Sequence, residues 1–249
     1  MPGLKLIPLT VGCILALSAH GIAQSDFKEE FNLGVQAFKA ARFDEAVRHF
    51  QNATALDPRH EVAHLCLASA LASEYIPGID EPENIQFGEA AVLEYQKVLD
   101  INPQSQDSMK GIATLYLQMK KFEDAKASYR RAIDLDPKDP ENYYSIGVID
   151  WTKAYTRMSA LRRKLGKEPD QPLIDAPECW DLRRSNEAVV SNGMEMIAKA
   201  IELRPDYDDA MAYMNLLYRE RANIQCGDKL IYDADVKAAN HWCDLVLAN

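Results

Sequence analysis

The sequence predicts an all-α fold of about five helix-turn-helix units, placed one after another along 249 residues. Three observations carry that expectation. Four stretches close alike: Ala53-Thr54-Ala55-Leu56-Asp57-Pro58, Val98-Leu99-Asp100-Ile101-Asn102-Pro103, Ala132-Ile133-Asp134-Leu135-Asp136-Pro137 and Ala200-Ile201-Glu202-Leu203-Arg204-Pro205. Their closing prolines are spaced by 45, 34 and 68 residues: one period of 34 with eleven residues inserted, one plain period, and two periods. Between them, apolar and small residues recur at intervals of three, four and seven, the spacing of a helix face and not of a strand. Such a period marks a series of stacked units, each too small to bury its own apolar face.

In unit 27–60 the pattern is Leu33, Gly34, Ala46, Phe50 and Ala53, whose small residues let two helices approach closely. Pro58 cannot continue the helix before it and turns the chain into the next unit. Unit 61–105 carries its insertion around 75–86, where Ile76-Pro77-Gly78 reads as a turn and Pro82 suits the first position of a lengthened second helix. Unit 106–139 repeats the pattern with Ile112, Ala113, Tyr116, Ala125, Tyr129 and Ala132. Unit 140–207 matches at Ile146-Gly147 and again from Ala200, with 34 extra residues between Trp151 and Gly193. Helical spacing continues through Trp151, Ala154, Met158, Leu161 and Leu165; Gly166, Pro169, Pro172 and Pro177 mark a loop; a new helix covers about Cys179 to Leu203. Two helices lengthened at the same end predict one overlong hairpin projecting roughly 15–18 Å beyond the other units. A whole degenerate repeat is the alternative, and Pro177 and Asp181 fit its phase poorly. The last unit, 208–247, lacks a closing proline and ends on Val236, Trp242, Leu245, Val246 and Leu247.

This pattern resembles the tetratricopeptide repeat (TPR) family over about residues 27–247. The resemblance implies a right-handed superhelix, a solenoid, whose first helices line a concave groove that takes a peptide or a partner protein. Carried onto this chain, the groove face is Phe31 and Val35 beside Lys28, then Leu65 and Ser69, then Lys110 and Thr114 beside Gln118, then Tyr144, Val148 and Trp151. Some TPR domains hold a chaperone's C-terminal carboxylate in a clamp of Lys, Asn and Arg. Here the clamp positions carry Phe31, Val35, Cys66, Asp107 and Gly111, which argues against that specificity. An apolar, aromatic groove fits an extended hydrophobic peptide or a partner helix, with Lys110 as the cationic anchor. The competing reading is that Phe31 and Trp151 pack internally.

With 28 Lys+Arg against 38 Asp+Glu the formal charge is −10, which argues against general nucleic-acid binding. A hydrophobic share of 47% excludes wholesale disorder. Residues 1–23 read as a signal peptide: Lys5, an apolar run from Leu6 to Ala19 too short to span a bilayer, then small Gly21 and Ala23 at a cleavage site. The expected mature chain, 24–249, is exported, periplasmic or secreted, without a transmembrane segment; loss of Lys5 takes its charge from −10 to −11. Lipidation at Cys13 is the alternative, though Thr10-Val11-Gly12 lacks the usual Leu. Cys179 begins the second hairpin helix and Cys226 ends the helix after it. Folded antiparallel, the two come near one end and form the candidate disulfide. Cys66 reads as a small buried hydrophobe.

His60-Glu61-Val62-Ala63-His64 spells H-E-x-x-H, which on a helix holds zinc with the Glu as general base. Pro58 interrupts the helix that should run through His60, Leu67 and Ala70 stand where an extended motif continues, and nothing selects a third ligand. The motif therefore reads as repeat sequence by coincidence. Asp80, Glu81 and Glu83, like Asp206, Asp208 and Asp209, read as helix-start carboxylates before calcium ligands. From Thr156 to Lys167 there are five basic residues (Arg157, Arg162, Arg163, Lys164 and Lys167) and no acidic one. That reversal fits a contact for an acidic protein, an anionic lipid or a wall polymer. A solvated helix face is the plainer reading. The sequence thus predicts a non-enzymatic module binding a protein or peptide, with no cofactor, no metal and no nucleic acid, and with self-association through its last helix left open. Its expected place is the bacterial cell envelope or outside the cell, resting on the short signal and on resemblance to exported bacterial TPR proteins. The rival readings are a zinc hydrolase using His60, Glu61 and His64, and an envelope-assembly factor for outer-membrane or pilus components.

Overall fold

The structure, a computed structural model, describes residues 12–168 and 171–248, with side chains from residue 26 onward. Residues 1–11 of the expected signal segment, and Pro169 of the expected loop, lie outside the described residues. Ten helices and no strand are present among the described residues, in two compact units that divide after Met119. The first unit holds α1 (Gly12–Lys39), α2 (Phe43–Leu56), α3 (Glu61–Glu74), α4 (Pro82–Ile101) and α5 (Gln106–Gln118). The second holds α6 (Phe122–Leu135), α7 (Pro140–Lys164), α8 (Cys179–Leu203), α9 (Asp208–Asn223) and α10 (Lys229–Ala248). Within each unit every helix packs on the next in sequence. Among the described residues no helix is long and apolar enough to cross a membrane.

The repeated closing motif works as a helix stop. The N–H of Asp57 reaches back to Ala53 O at 3.0 Å and that of Asn102 to Val98 O at 2.7 Å; the proline after each cannot extend the helix. The side-chain oxygens of Asp57, Asn102 and Asp136 each then accept a backbone N–H two residues on, which shapes the turn. In the first unit a Cβ on Gly34 would stand 2.6 Å from the Phe50 ring, so only glycine lets α1 lie this close to α2. Gly147 plays the same part in the second unit, where a Cβ would stand 2.5 Å from Ile197. Ile146, Ile149, Ile197 and Leu217 are fully buried, each worth about 1.5–3 kcal/mol.

The insertion after α3 is closed by one side chain. Asn84 Oδ1 accepts the Ile76 N–H at 2.7 Å, and its Nδ2 donates to Ile76 O and Ile79 O at 2.9 and 2.8 Å. Pro82 stands in the first turn of α4. The second departure is the hairpin: α7 and α8 are each 25 residues long, against 16 for α9. Its loop folds back. Leu173 and Ile174 are buried, Leu173 packs with Met158, Leu182 and Ile224, and Ile174 O accepts the Gly227 N–H at 2.8 Å. A buried charge network joins three helices of this unit. Lys126 of α6 donates to Asp150 Oδ1 of α7 at 2.5 Å, and Asn192 of α8 donates to Asp150 Oδ2 at the same distance.

Candidate functional site

Within the first unit, the residues expected to face a partner are mostly half-buried. Phe31 lies 5.8 Å, ring to ring, from Phe27, Phe50 and His60, so it packs internally over α2. Val35, Leu65 and Lys110 are half-buried and Thr114 is exposed. Ser69 is half-buried: its hydroxyl donates to Leu65 O at 2.9 Å, and Tyr95 Oη stands 3.3 Å away. Its proton is given to the helix, which leaves its oxygen as an acceptor.

The H-E-x-x-H residues have structural duties. His60 is the N-cap of α3, accepting the Ala63 N–H at 3.1 Å, with its ring 4.5 Å from Phe27. His64 is buried, its Nδ1 2.6 Å from Glu94 Oε2 and its Nε2 3.1 Å from Pro58 O. Glu61 accepts from Asn102. Both His64 nitrogens therefore face acceptors, so neither lone pair is aimed at a shared metal position. Among the described residues no group of three His, Cys, Asp or Glu is placed to hold a metal.

Within the second unit the aromatic residues form a continuous row. Tyr144, Val148, Trp151 and Tyr155 follow at steps of four, three and four, which puts them on one face of α7. Tyr213 of α9 stands edge-on to two of them, 5.6 Å from Tyr144 and 5.3 Å from Trp151. Trp151 and Tyr155 stack at 5.0 Å. Tyr207 lies 5.0 Å from Tyr144 and donates its phenolic proton to Glu141 Oε2 at 2.6 Å. Burial, reinforced by Tyr213, Asp209 and Glu141, pushes the Tyr144 phenol up to about 12. Tyr144, Trp151 and Tyr213 pack one side against the buried core of the unit and keep partial exposure on the other. Trp151 thus packs against the core while keeping part of its surface exposed.

Tyr213 and Tyr155 escaped the sequence reading for different reasons. Tyr213 belongs to the degenerate last unit, where the repeat gives no phase. Tyr155 lies in the helical extension, yet its position four residues after Trp151 was a readable signal.

Beside the row, α7, α9 and α10 enclose a cavity of about 240 Å³. Trp151, Tyr155 and Met158 of α7, Leu216 of α9 and Val236 of α10 form its apolar walls, with Arg162, Arg219 and Glu220 among its polar ones. Glu220 is 3% exposed, and its Oε2 has no hydrogen-bond partner. Burial pushes this carboxyl up to about 8, against the opposing pull of Arg162. The indole Nε1 of Trp151 is likewise sealed from solvent without a partner. Nothing in the repeat pattern marks Glu220, which reads in sequence as one more surface acid of a charged helix end.

The basic stretch divides in two. Arg162 corrects the expected surface: it is 8% exposed, with Nε donating to Gln171 O and Nη2 to Asn223 Oδ1, so it fastens the hairpin loop to the end of α9. Arg157 spans the hairpin, donating to Ser185 O and Asn186 Oδ1 at 2.6 and 3.3 Å. Arg163 and Lys164 are exposed and Lys167 half-buried; Arg163 and Lys167 border an open pocket of about 370 Å³ with Thr156 and Ser159. Cys179 and Cys226 are joined in a disulfide with Cα atoms 5.6 Å apart. Cys66 is half-buried, and burial pushes its thiol up.

A family model for the TPR repeat matches residues 113–152. The chain is 26% identical over 147 residues to the Hsp70-Hsp90 organizing protein of Triticum aestivum, covering 59% of this chain and 23% of that protein. It therefore spans about a quarter of that relative's length. In three dimensions it is similar to MamA 41-end from Desulfovibrio magneticus RS-1, with a TM-score of 0.59 and 15% identity over 90% of this chain and 94% of that one. It is also similar to YrrB, described as a TPR protein with an unusual peptide-binding site, with a TM-score of 0.50 and 14% identity over 82% and 89% of the two chains. These likenesses give the fold as an all-α TPR solenoid.

Proposed function

The chain is a tetratricopeptide repeat protein, and from that premise we propose that it is a non-catalytic scaffold whose α7 face holds a partner protein or extended peptide. The observation that carries the reading is the aromatic row of Tyr144, Trp151 and Tyr155 with Tyr213 wedged against it. Aromatic side chains bring large contact area at little entropic cost, and these are already held against one another. A partner laid along α7 does not have to order them. The Cys179–Cys226 disulfide, together with the signal-like segment 1–23, supports placement in an oxidising, extracytoplasmic compartment.

The test is photocrosslinking in the native cell from a photoreactive residue at position 144, followed by mass spectrometry. The expected result is one dominant adduct that Trp151→Ala abolishes. A partner captured only from a probe at position 163 moves the function to the hairpin, and capture from neither position refutes the scaffold.

A further inference from the structure

We propose that the open pocket at the C-terminal end of α7 continues the aromatic row and takes the acidic stretch of the same partner segment. The partner is then a chain carrying an aromatic or apolar residue and, about four residues away, a run of carboxylates. The pocket, of about 370 Å³, is lined by Tyr155, Thr156, Ser159, Arg162, Arg163 and Lys167. Tyr155 belongs to both features, stacked on Trp151 at 5.0 Å and forming a wall of the pocket. The inference rests on the scaffold reading and deepens it by naming the chemistry of the partner.

Of the five basic residues between Thr156 and Lys167, two are spent inside the hairpin: Arg157 on Ser185 O and Asn186 Oδ1, and Arg162 on Gln171 O and Asn223 Oδ1. The side chains of Arg163, Lys164 and Lys167 make no hydrogen bond or ion pair among the described residues. Nor are they needed to close α7, because the carbonyls of Leu161, Arg162 and Arg163 accept the N–H groups of Leu165, Lys167 and Gly166. The acids of the adjoining helix are answered locally, Asp181 by Arg184 and Glu187 by Arg183. Inside the pocket the Thr156 hydroxyl donates to Thr152 O, while that of Ser159 has no partner among the described residues and keeps an O–H to give. Two unpaired cations and a free hydroxyl therefore face one open space. A cation there would meet Arg163 and Lys167 with no carboxylate among the described lining residues, so an anion is favoured. Membrane surfaces are met by clusters of about 4–8 basic residues. Only three remain here, and two of them border a pocket beside aromatic rings, which suits a chain segment better than a lipid face. The register follows from α7 itself. Arg163 stands eight residues after Tyr155, about 12 Å along the helix, a span that an extended chain covers in about four residues.

The test titrates the full chain into a fluorescein-labelled random copolymer of glutamate and tyrosine, and into labelled polyglutamate, reading anisotropy; phosphatidylglycerol vesicles are tested alongside by co-sedimentation. A random copolymer presents every spacing of ring and carboxylate, so a failure to bind is decisive. The expected result is that the copolymer binds at least about fivefold tighter than polyglutamate, and that Tyr155→Ala removes this advantage. Arg163→Glu with Lys167→Glu should weaken copolymer binding by at least about tenfold, whereas Arg183→Glu with Arg184→Glu, the same charge change at the start of α8, should weaken it less than about twofold. The inference is overturned if the copolymer does not bind by about 1 mM in glutamate residues, if the two double variants weaken binding alike, or if polyglutamate binds as well as the copolymer. It is also overturned if vesicles bind more tightly than the copolymer and lose that binding in the 163/167 variant, which assigns the pocket to a membrane surface. Phosphate that displaces the copolymer far better than chloride at equal ionic strength assigns it to a small oxyanion and overturns it as well. Crosslinking from position 144 that Trp151→Ala abolishes, but that reversing Arg163 and Lys167 leaves unchanged, removes this inference and leaves the scaffold reading standing.

Discussion

Replacing Glu220 by Gln tests how the second unit tolerates a carboxyl in its interior. Glu220 is 3% exposed, its Oε2 is unpaired, and burial lifts its pKa from 4.5 to about 8. Because the folded value lies above the unfolded one, the native state holds a proton that the unfolded chain releases throughout that window. The group's contribution is therefore full below pH 4.5 and is lost as pH rises through about 8. At 1.36 kcal/mol per pH unit the complete loss is about 5 kcal/mol, of which about 2–3 kcal/mol falls between pH 5 and pH 7. Gln keeps the shape but cannot ionise. Its own unpaired amide shifts the curve by a constant amount, so the Glu220 slope is what separates the two proteins. All three tryptophans, Trp151, Trp180 and Trp242, lie in the second unit, so their emission in urea follows the unit that contains Glu220. The variant should gain about 2–3 kcal/mol on the wild type between pH 5 and pH 7. Parallel stability curves across that range would show that the carboxyl is solvated or paired and that the reasoning fails.

Three further outcomes follow from local geometry. Reducing the Cys179–Cys226 bond, or replacing both cysteines by Ser, opens a loop of 47 residues and should cost about 4 kcal/mol, read as a lower melting temperature of the second unit. An unchanged melt with dithiothreitol refutes it. Asn84→Ala removes three hydrogen bonds from the 75–81 turn and should cost about 2–4 kcal/mol, with faster amide exchange in that turn; protection equal to wild type rules this out. Ala41 holds φ at 55°, a left-handed conformation that disfavours a Cβ. Ala41→Gly should stabilise the first unit by about 0.5 kcal/mol net of glycine's unfolded-state entropy, and a destabilised variant in thermal melts counts against it.

The helical framework was legible because repeats write one local rule several times. The motif at Asp57-Pro58 returns at Asn102-Pro103 and Asp136-Pro137, and each copy stops its helix by the same backbone bond. Both insertions were legible too, since Ile76-Pro77-Gly78 and the prolines after Leu165 punctuate otherwise periodic helices. The candidate site was legible only along α7, where Tyr144, Val148 and Trp151 keep phase. Its other half depends on packing between helices far apart in sequence. Nothing local says that Tyr213 wedges between Tyr144 and Trp151, that Lys126 reaches Asp150, or that Arg162 turns inward to the end of α9. The Ser69 bond is local and could have been read, since a hydroxyl in a helix commonly bonds the carbonyl four residues back.

The second unit also separates rigidity from completeness. α7 is held from several sides: by Lys126 of α6 and Asn192 of α8 on Asp150, by Asn186 of α8 on Ala154 O, and by Arg162 at its far end. Such a helix could satisfy its polar groups fully. Yet the buried polar atoms without a partner among the described residues, Asn142 Oδ1, Trp151 Nε1 and Glu220 Oε2, all lie on α7 and α9, and the last two border one cavity. Buried unpaired groups are scarce in native proteins because each lowers stability without helping the fold. Where a sequence breaks a local rule inside a well-fixed frame, the break is expected at a functional position. Rigid support around an unsatisfied donor and a buried acid leaves neither group free to move toward a partner within the chain, so each keeps its cost of about 1–3 kcal/mol.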